Sequence, residues 1–228
     1  MSKKITRKIK SNNNRDVEPL LPLNDKQKEY IEAIYHNPVI IATGVLGSSK
    51  TYIPSVIASD LLMSKQINKV IIARPNEGKG RSIGFLPGDL NEKLSAWTAP
   101  IVETMKQRLG EGHYEAYLDN GKIEMLALEH CKGRSWDDCF VIVDEAEDLD
   151  VSVAKTLVTR QGVNTTMVIT GDIAQQDLKS YSGLQFLLDV SEKYDLPVAT
   201  VNFDDWSYCV RSPEARMWGE AFEKYDRE

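Results

Sequence analysis

The sequence predicts an α/β domain in which a mostly parallel sheet is covered by helices on both faces. Short apolar runs recur along the chain, at Val39-Ile40-Ile41-Ala42, Val70-Ile71-Ile72-Ala73, Phe140-Val141-Ile142-Val143 and Met167-Val168-Ile169-Thr170. Each is too short for a helix and too uniformly apolar for a half-exposed strand, as expected of strands buried on both sides. Segments of helical periodicity alternate with them, which implies crossover connections and a layered sheet. The length of 228 residues, with 42% apolar and 27% charged residues, suits one such domain with a substantial core.

In chain order, Lys3, Lys4, Arg7, Lys8, Lys10 and Arg15 crowd a polar start with little to bury. Residues 1–22 therefore read as a disordered basic tail, and 23–228 as the folded domain. A solubilising arm and a nucleic-acid contact both fit that charge run. Asn24 or Asp25 caps a first helix through Gln27, Tyr30, Ile31 and Ile34. The first strand ends in a glycine turn at Gly44, and a helix runs from Tyr52 to Met63 with Pro54 tolerated in its first turn. A second strand at 70–73 leads to a Gly/Pro-rich loop over 75–88 and a helix over 92–109. A weaker strand follows at 123–126 and a strong one at 140–143. After them come a helix over 151–160, a strand at 167–170, a helix over 184–193, a last strand at 198–203 and a helix after Pro213. In such a sheet, ligands belong at the carboxyl ends of the strands.

Several function classes are disfavoured. No stretch has the roughly 18 to 20 consecutive apolar residues of a membrane span, and the N-terminus has no apolar signal core, so a soluble, cytoplasmic protein is expected. Cys131, Cys139 and Cys209 show no paired spacing, which argues against a disulfide framework and a zinc site. A formal charge of −6 argues against bulk electrostatic coating of duplex DNA, while leaving room for a local nucleic-acid track.

Three motifs carry chemistry. Gly44-Val45-Leu46-Gly47-Ser48-Ser49-Lys50-Thr51 lies between a strand and a helix, the context in which a phosphate loop is meaningful. Its backbone N–H groups would cradle the phosphates of ATP, Lys50 would neutralise them and Thr51 would ligate Mg2+. The usual pattern has glycine before the lysine, and Ser49 adds a Cβ there. Asp144 and Glu145 end an apolar strand, suited to holding magnesium and to polarising an attacking water. Thr170-Gly171-Asp172, followed by Gln175, ends the next strand where polar groups can sense a γ-phosphate. The acids that follow Glu145, including Glu147, Asp148 and Asp150, read as a solvated turn.

The phosphate loop, Arg74-Pro75, Gly84-Phe85-Leu86-Pro87-Gly88-Asp89, Gly133-Arg134-Ser135, Val143-Asp144-Glu145-Ala146-Glu147 and Thr170-Gly171-Asp172 through Gln175 together resemble the PhoH family, in the same order. The resemblance runs from about Leu23 to Arg211, and GFLPGD is its most specific part. It implies a three-layer RecA-like P-loop ATPase core related to superfamily 1 helicases, a homo-oligomeric ring, hexameric in the family, and work on RNA or single-stranded DNA. It also implies Gln27 beside the adenine, Arg74 and Arg134 beside the active site, and Arg211 as an arginine finger, in a Val210-Arg211-Ser212 segment with serine where the family has histidine; either a neighbouring subunit supplies a second face, with Arg211 acting in trans, or the chain hydrolyses ATP without unwinding. Apart from the resemblance, Lys79 and Arg81 in the loop suit contacts to nucleic-acid phosphates, and solvated loop charge is the other, default reading. A nucleotide-gated switch and a nucleotide-stabilised structural ring, both with little hydrolysis, remain as alternatives.

Overall fold

The computed structural model describes residues 18–75, 96–176 and 181–227. Six strands form one parallel sheet: β1 (Val39–Gly44), β2 (Lys69–Arg74), β3 (Ile123–Ala127), β4 (Cys139–Val143), β5 (Thr166–Gly171) and β6 (Val198–Phe203). Their spatial order is β3-β2-β4-β5-β1-β6. The chain crosses from β1 past two positions to β2, turns back through β4 to β5, and ends by crossing β1 to β6. The carboxyl ends of β4, β5 and β1 are thereby neighbours, with Val143 opposite Ile169 and Thr43 opposite Gly171.

Alternation along each strand builds two cores. Ile40, Val70, Ile72, Phe140, Ile142 and Val168 face one layer of helices, α1 (Asp25–His36), α2 (Tyr52–Met63), α3 (Ala99–Leu109) and α4 (Glu111–Asp119). Ile41, Ile71, Val141, Val143, Met167 and Ile169 face the other, α5 (Val151–Val158) and α6 (Gly183–Lys193). Both faces of the central strands are buried, which is why their sequences show apolar runs rather than alternation. The last helix, α7 (Pro213–Arg227), lies against a short 3-10 turn where Trp206 Nε1 donates to Glu223 at 2.5 Å.

Most of the expected elements are present within a residue or two. Asn24 caps α1, its side chain accepting from Gln27 N at 2.9 Å. Helix α4 is additional to those the pattern predicts. Gly110, at φ 79, ends α3 and α4 begins at the next residue. The glycines at 110 and 112 read locally as a breaker, and the packing of Tyr114 into the core overrides them. The helix expected over 92–109 is seen as α3, and its first residues, like most of the preceding loop, lie outside the described residues. So does 1–17 of the basic tail. Residues 18–22 form no regular element, but Leu20 packs on the core and the Glu18 carbonyl accepts from Arg108. No helix among the described residues is long and apolar enough to cross a membrane.

Candidate functional site

The loop after β1 has a backbone that only part of its sequence favours. Gly44, at φ 117, passes so close to Phe203 that a Cβ would overlap the Phe203 carbonyl. The next residue exploits that approach, Val45 N donating to Phe203 O at 2.8 Å. Ser49 adopts φ 73, the left-handed conformation that glycine enters without strain and a Cβ-bearing residue does not. The departure seen in the sequence is thus also a backbone departure.

Helix α1 braces this loop. Gln27 Nε2 lies 3.3 Å from Ser49 Oγ and 3.4 Å from Ser48 O, while its Oε1 accepts from Leu23 N at 2.9 Å. Tyr30 donates its hydroxyl to Lys50 O at 2.9 Å. Gln27 is only 2% exposed and does not line the cavity, so its amide is committed to the loop. The Lys50 side chain curls back onto the loop, donating to Gly44 O and, at 2.7 Å, to Val45 O. Burial lowers the Lys50 pKa, against the pull of Asp172, Glu147, Asp144 and Glu145.

Across from the loop, Asp144 is 8% exposed and accepts two hydroxyls on Oδ1, from Thr51 at 2.8 Å and from Thr170 at 2.7 Å. This ties the start of α2 to the ends of β4 and β5. Glu145 follows at φ 55 and ψ 43, again left-handed, with its side chain 47% exposed. Arg74 Nη2 lies 3.4 Å from Glu145 Oε1.

Glu147 is not part of a solvated turn. It is 4% exposed, accepts from Asp172 N at 3.0 Å, and fits because Gly171 has no side chain to occupy its place. Burial raises its pKa well above the ordinary carboxylate range, and the adjacent Glu145 carboxyl raises it further. The acidic run gives no sign of this, since only contacts 25 residues away distinguish Glu147 from Asp150.

These groups surround one cavity of about 370 Å³, lined by Leu46 through Tyr52, Asp144, Glu145, Glu147, Asp172, Gln175 and Arg211 among others. Gln175 donates to Asp172 within a short 3-10 turn. Arg211 lies on the loop of its own chain: Val210 N donates to Gly47 O at 3.0 Å, and a Cβ on Gly47 would come within 2.8 Å of Arg211 Cγ. A model of the family described as PhoH-like protein matches residues 19–223. The chain belongs to the PhoH family.

Among curated relatives of this PhoH-family chain, the PhoH-like protein of Bacillus subtilis is 35% identical over 87% of this chain and 62% of its own length. Protein PhoH of Escherichia coli K12 is also 35% identical, over 87% of this chain and 56% of its own. The chain thus spans about three fifths of the curated relatives it matches. Among solved structures, the large terminase of bacteriophage HK97 superposes with a TM-score of 0.54 at 14% identity, covering 93% of this chain and 49% of the terminase. The large terminase of a thermophilic bacteriophage gives 0.52 at 10% identity, covering 85% and 48%. The fold is the expected three-layer RecA-like P-loop core.

Not every residue of the family pattern reaches the PhoH-family cavity. Arg74 stands beside it through Glu145, but Arg134 pairs with Glu124, itself bound to Lys69 at 2.6 Å. Those partners begin β3 and β2, so Arg134 sits at the amino ends of the strands, away from the site. GFLPGD, Lys79 and Arg81 lie outside the described residues. From the sequence Tyr30 reads only as an apolar helix position. Its spacing of three from Gln27 is the signal that both serve one face. A hydroxyl and a carboxylate already in contact, Thr51 and Asp144, offer the hard oxygen donors that magnesium takes.

Proposed function

We propose that this PhoH-family domain binds ATP with magnesium and hydrolyses its γ-phosphate, in work on RNA or single-stranded DNA. The carrying observation is the 2.8 Å bond from Thr51 to Asp144, which joins the phosphate loop to the carboxylate strand within one cavity. Phosphate oxygens would replace the Gly44 and Val45 carbonyls as partners of Lys50 and receive the loop N–H groups. Thr51 and Asp144 would hold magnesium, which neutralises charge on the phosphates. Glu145 would take a proton from water as the water oxygen bonds to the γ-phosphorus and the bond to the β-bridging oxygen breaks, leaving ADP and phosphate. Gln175 and Asp172 would sense the γ-phosphate.

Because Arg211 lies on its own loop, we place its charge-stabilising role within its own chain rather than across an interface. Assembly with further copies, in a hexameric ring as the family resemblance implies, is a separate part of the proposal. The alternative of a nucleotide-gated switch draws on Ser49, whose φ 73 stores strain where the phosphates would sit.

The test is steady-state hydrolysis beside oligomeric mass, with and without single-stranded RNA, for wild type, Lys50→Ala and a mixture of Arg211→Ala with Glu145→Gln chains. Wild type turns over and responds to RNA, Lys50→Ala does neither, and the mixture regains no activity. ATP binding without turnover favours the switch, and recovery in the mixture returns Arg211 to a neighbouring subunit.

A further inference from the structure

Among the described residues, Glu145 is the cavity carboxylate with an ion-pair partner outside the cavity. The sheet itself creates the pairing: β2 lies beside β4, Ala73 is opposite Val143, and Asp144 N donates to Ala73 O at 3.0 Å. The residues leaving the two strands, Arg74 and Glu145, are therefore brought side by side. Arg74 is fixed from behind as well. Its Nη1 donates to Trp97 O at 2.9 Å, and its guanidinium carbon lies 5.5 Å from the centre of the Trp97 ring. The single contact to Glu145, at 3.4 Å, is the looser one. Glu145 lines the nucleotide cavity and Arg74 does not.

We propose that Arg74 is the positioning residue of Glu145, holding the carboxylate in a resting place until a phosphate of a single-stranded nucleic acid displaces it from the guanidinium. The proposal rests on the reading of Glu145 as the hydrolytic base. A carboxylate oxygen turned onto the guanidinium is committed to that partner and is not aimed at a water in the cavity. A half-exposed ion pair is weak and exchangeable, whereas guanidinium binds phosphate through two parallel N–H bonds. Since Arg74 stands outside the cavity lining, its competitor approaches from beyond the nucleotide, which selects a strand phosphate over the γ-phosphate of ATP. The Trp97 contacts keep the guanidinium in place during the exchange, so only Glu145 moves.

The experiment compares wild type, Arg74→Gln, Arg74→Met and Arg74→Lys in ATP turnover with and without a 20-nucleotide oligouridine. Melting curves confirm folding. Arg74→Met retains the aliphatic stem over Trp97 should Arg74→Gln unfold. Loss of the cation raises kcat without oligouridine about fivefold, leaves KM for ATP within about twofold, and abolishes stimulation by the oligonucleotide. Arg74→Lys keeps a cation and stays stimulated. Turnover in Arg74→Gln and Arg74→Met at or below wild type, or undiminished stimulation, overturns the proposal. A wild type already at full rate with ATP alone overturns the strand as competitor and points to the γ-phosphate. Binding of a fluorescent ATP analogue, lost in Lys50→Ala, separates this failure from failure of the ATPase reading. If the analogue binds and Glu145→Gln is inactive, that reading stands whatever Arg74 does.

Discussion

The phosphate loop and the carboxylate turn face each other across one cavity and are built by opposite means. The loop is held largely at its backbone, Val45 N donating to Phe203 O and Val210 N to Gly47 O, and by α1, with Gln27 and Tyr30 reaching residues 48 to 50. Its important groups are backbone amides, whose positions follow from glycines, a lysine and the start of a helix. The carboxylate turn is held at its side chains by groups from several other elements. Asp144 is fixed by Thr51 and Thr170, Glu145 by Arg74, and Glu147 by Asp172. A loop of the first kind binds; a turn of the second kind is where side-chain chemistry, and its control, can be tuned.

The largest expected effect separates those two jobs. If Glu145 is the base, as proposed, Glu145→Gln keeps size and shape and removes the proton acceptor, so hydrolysis falls by about 10² to 10⁴. Binding of ATP, which depends on the loop, stays within about threefold, because the Gln amide offers the phosphates no repulsive charge. Single-turnover hydrolysis and analogue titration measure the two quantities on the same sample. Equal losses in both would mean that the turn also holds the nucleotide, and the contrast between the regions would collapse.

The same contrast explains what is legible in the sequence. Strand ends and the loop can be read because apolar runs, a glycine turn and Lys50-Thr51 are contiguous. The order of β4, β5 and β1 is not legible in the sequence, which supports only that ligands gather at strand ends. Glu147 and Arg134 mislead for a common reason. Glu147 looks like Asp148 until Gly171 opens room for it, and Arg134 looks like an active-site arginine by resemblance until Glu124 claims it. Gln27 is a case between: the family pattern marks the residue, while the structure shows its amide spent on Ser48, Ser49 and Leu23. Contacts between residues far apart in sequence decide each of these, and local pattern carries no record of them.

Glu147 gives the next effect, on stability and its pH dependence. Its pKa rises from 4.5 to about 8 in the folded chain, chiefly through burial. Between those values the folded state holds a proton that the unfolded state has released, so stability falls as pH rises, by up to about 1.4 kcal/mol per unit. Below that window both states are protonated and the loss vanishes. Glu147→Gln keeps an oxygen for Asp172 N and an amide for Glu145, and cannot ionise. Its melting temperature should therefore fall less than that of wild type from pH 5 to pH 8. Parallel curves would show that Glu147 ionises as easily folded as unfolded.

The smallest effect probes the loop itself. Ser49→Gly removes a Cβ from φ 73, which relieves roughly 1 kcal/mol of backbone strain, and gives up the 3.3 Å contact with Gln27 together with some unfolded-state stiffness. These nearly cancel, so the melting temperature should move by no more than a few degrees. The nucleotide responds differently. Without the Cβ the loop approaches the phosphates more closely, and affinity for ATP should rise roughly two- to fivefold, about 0.4 to 1 kcal/mol. If turnover rises with affinity while Glu145 and Arg74 are untouched, Ser49 restrains catalysis through binding. If affinity rises and turnover stays fixed, control of hydrolysis resides in the carboxylate turn, as the pairing of Arg74 with Glu145 requires.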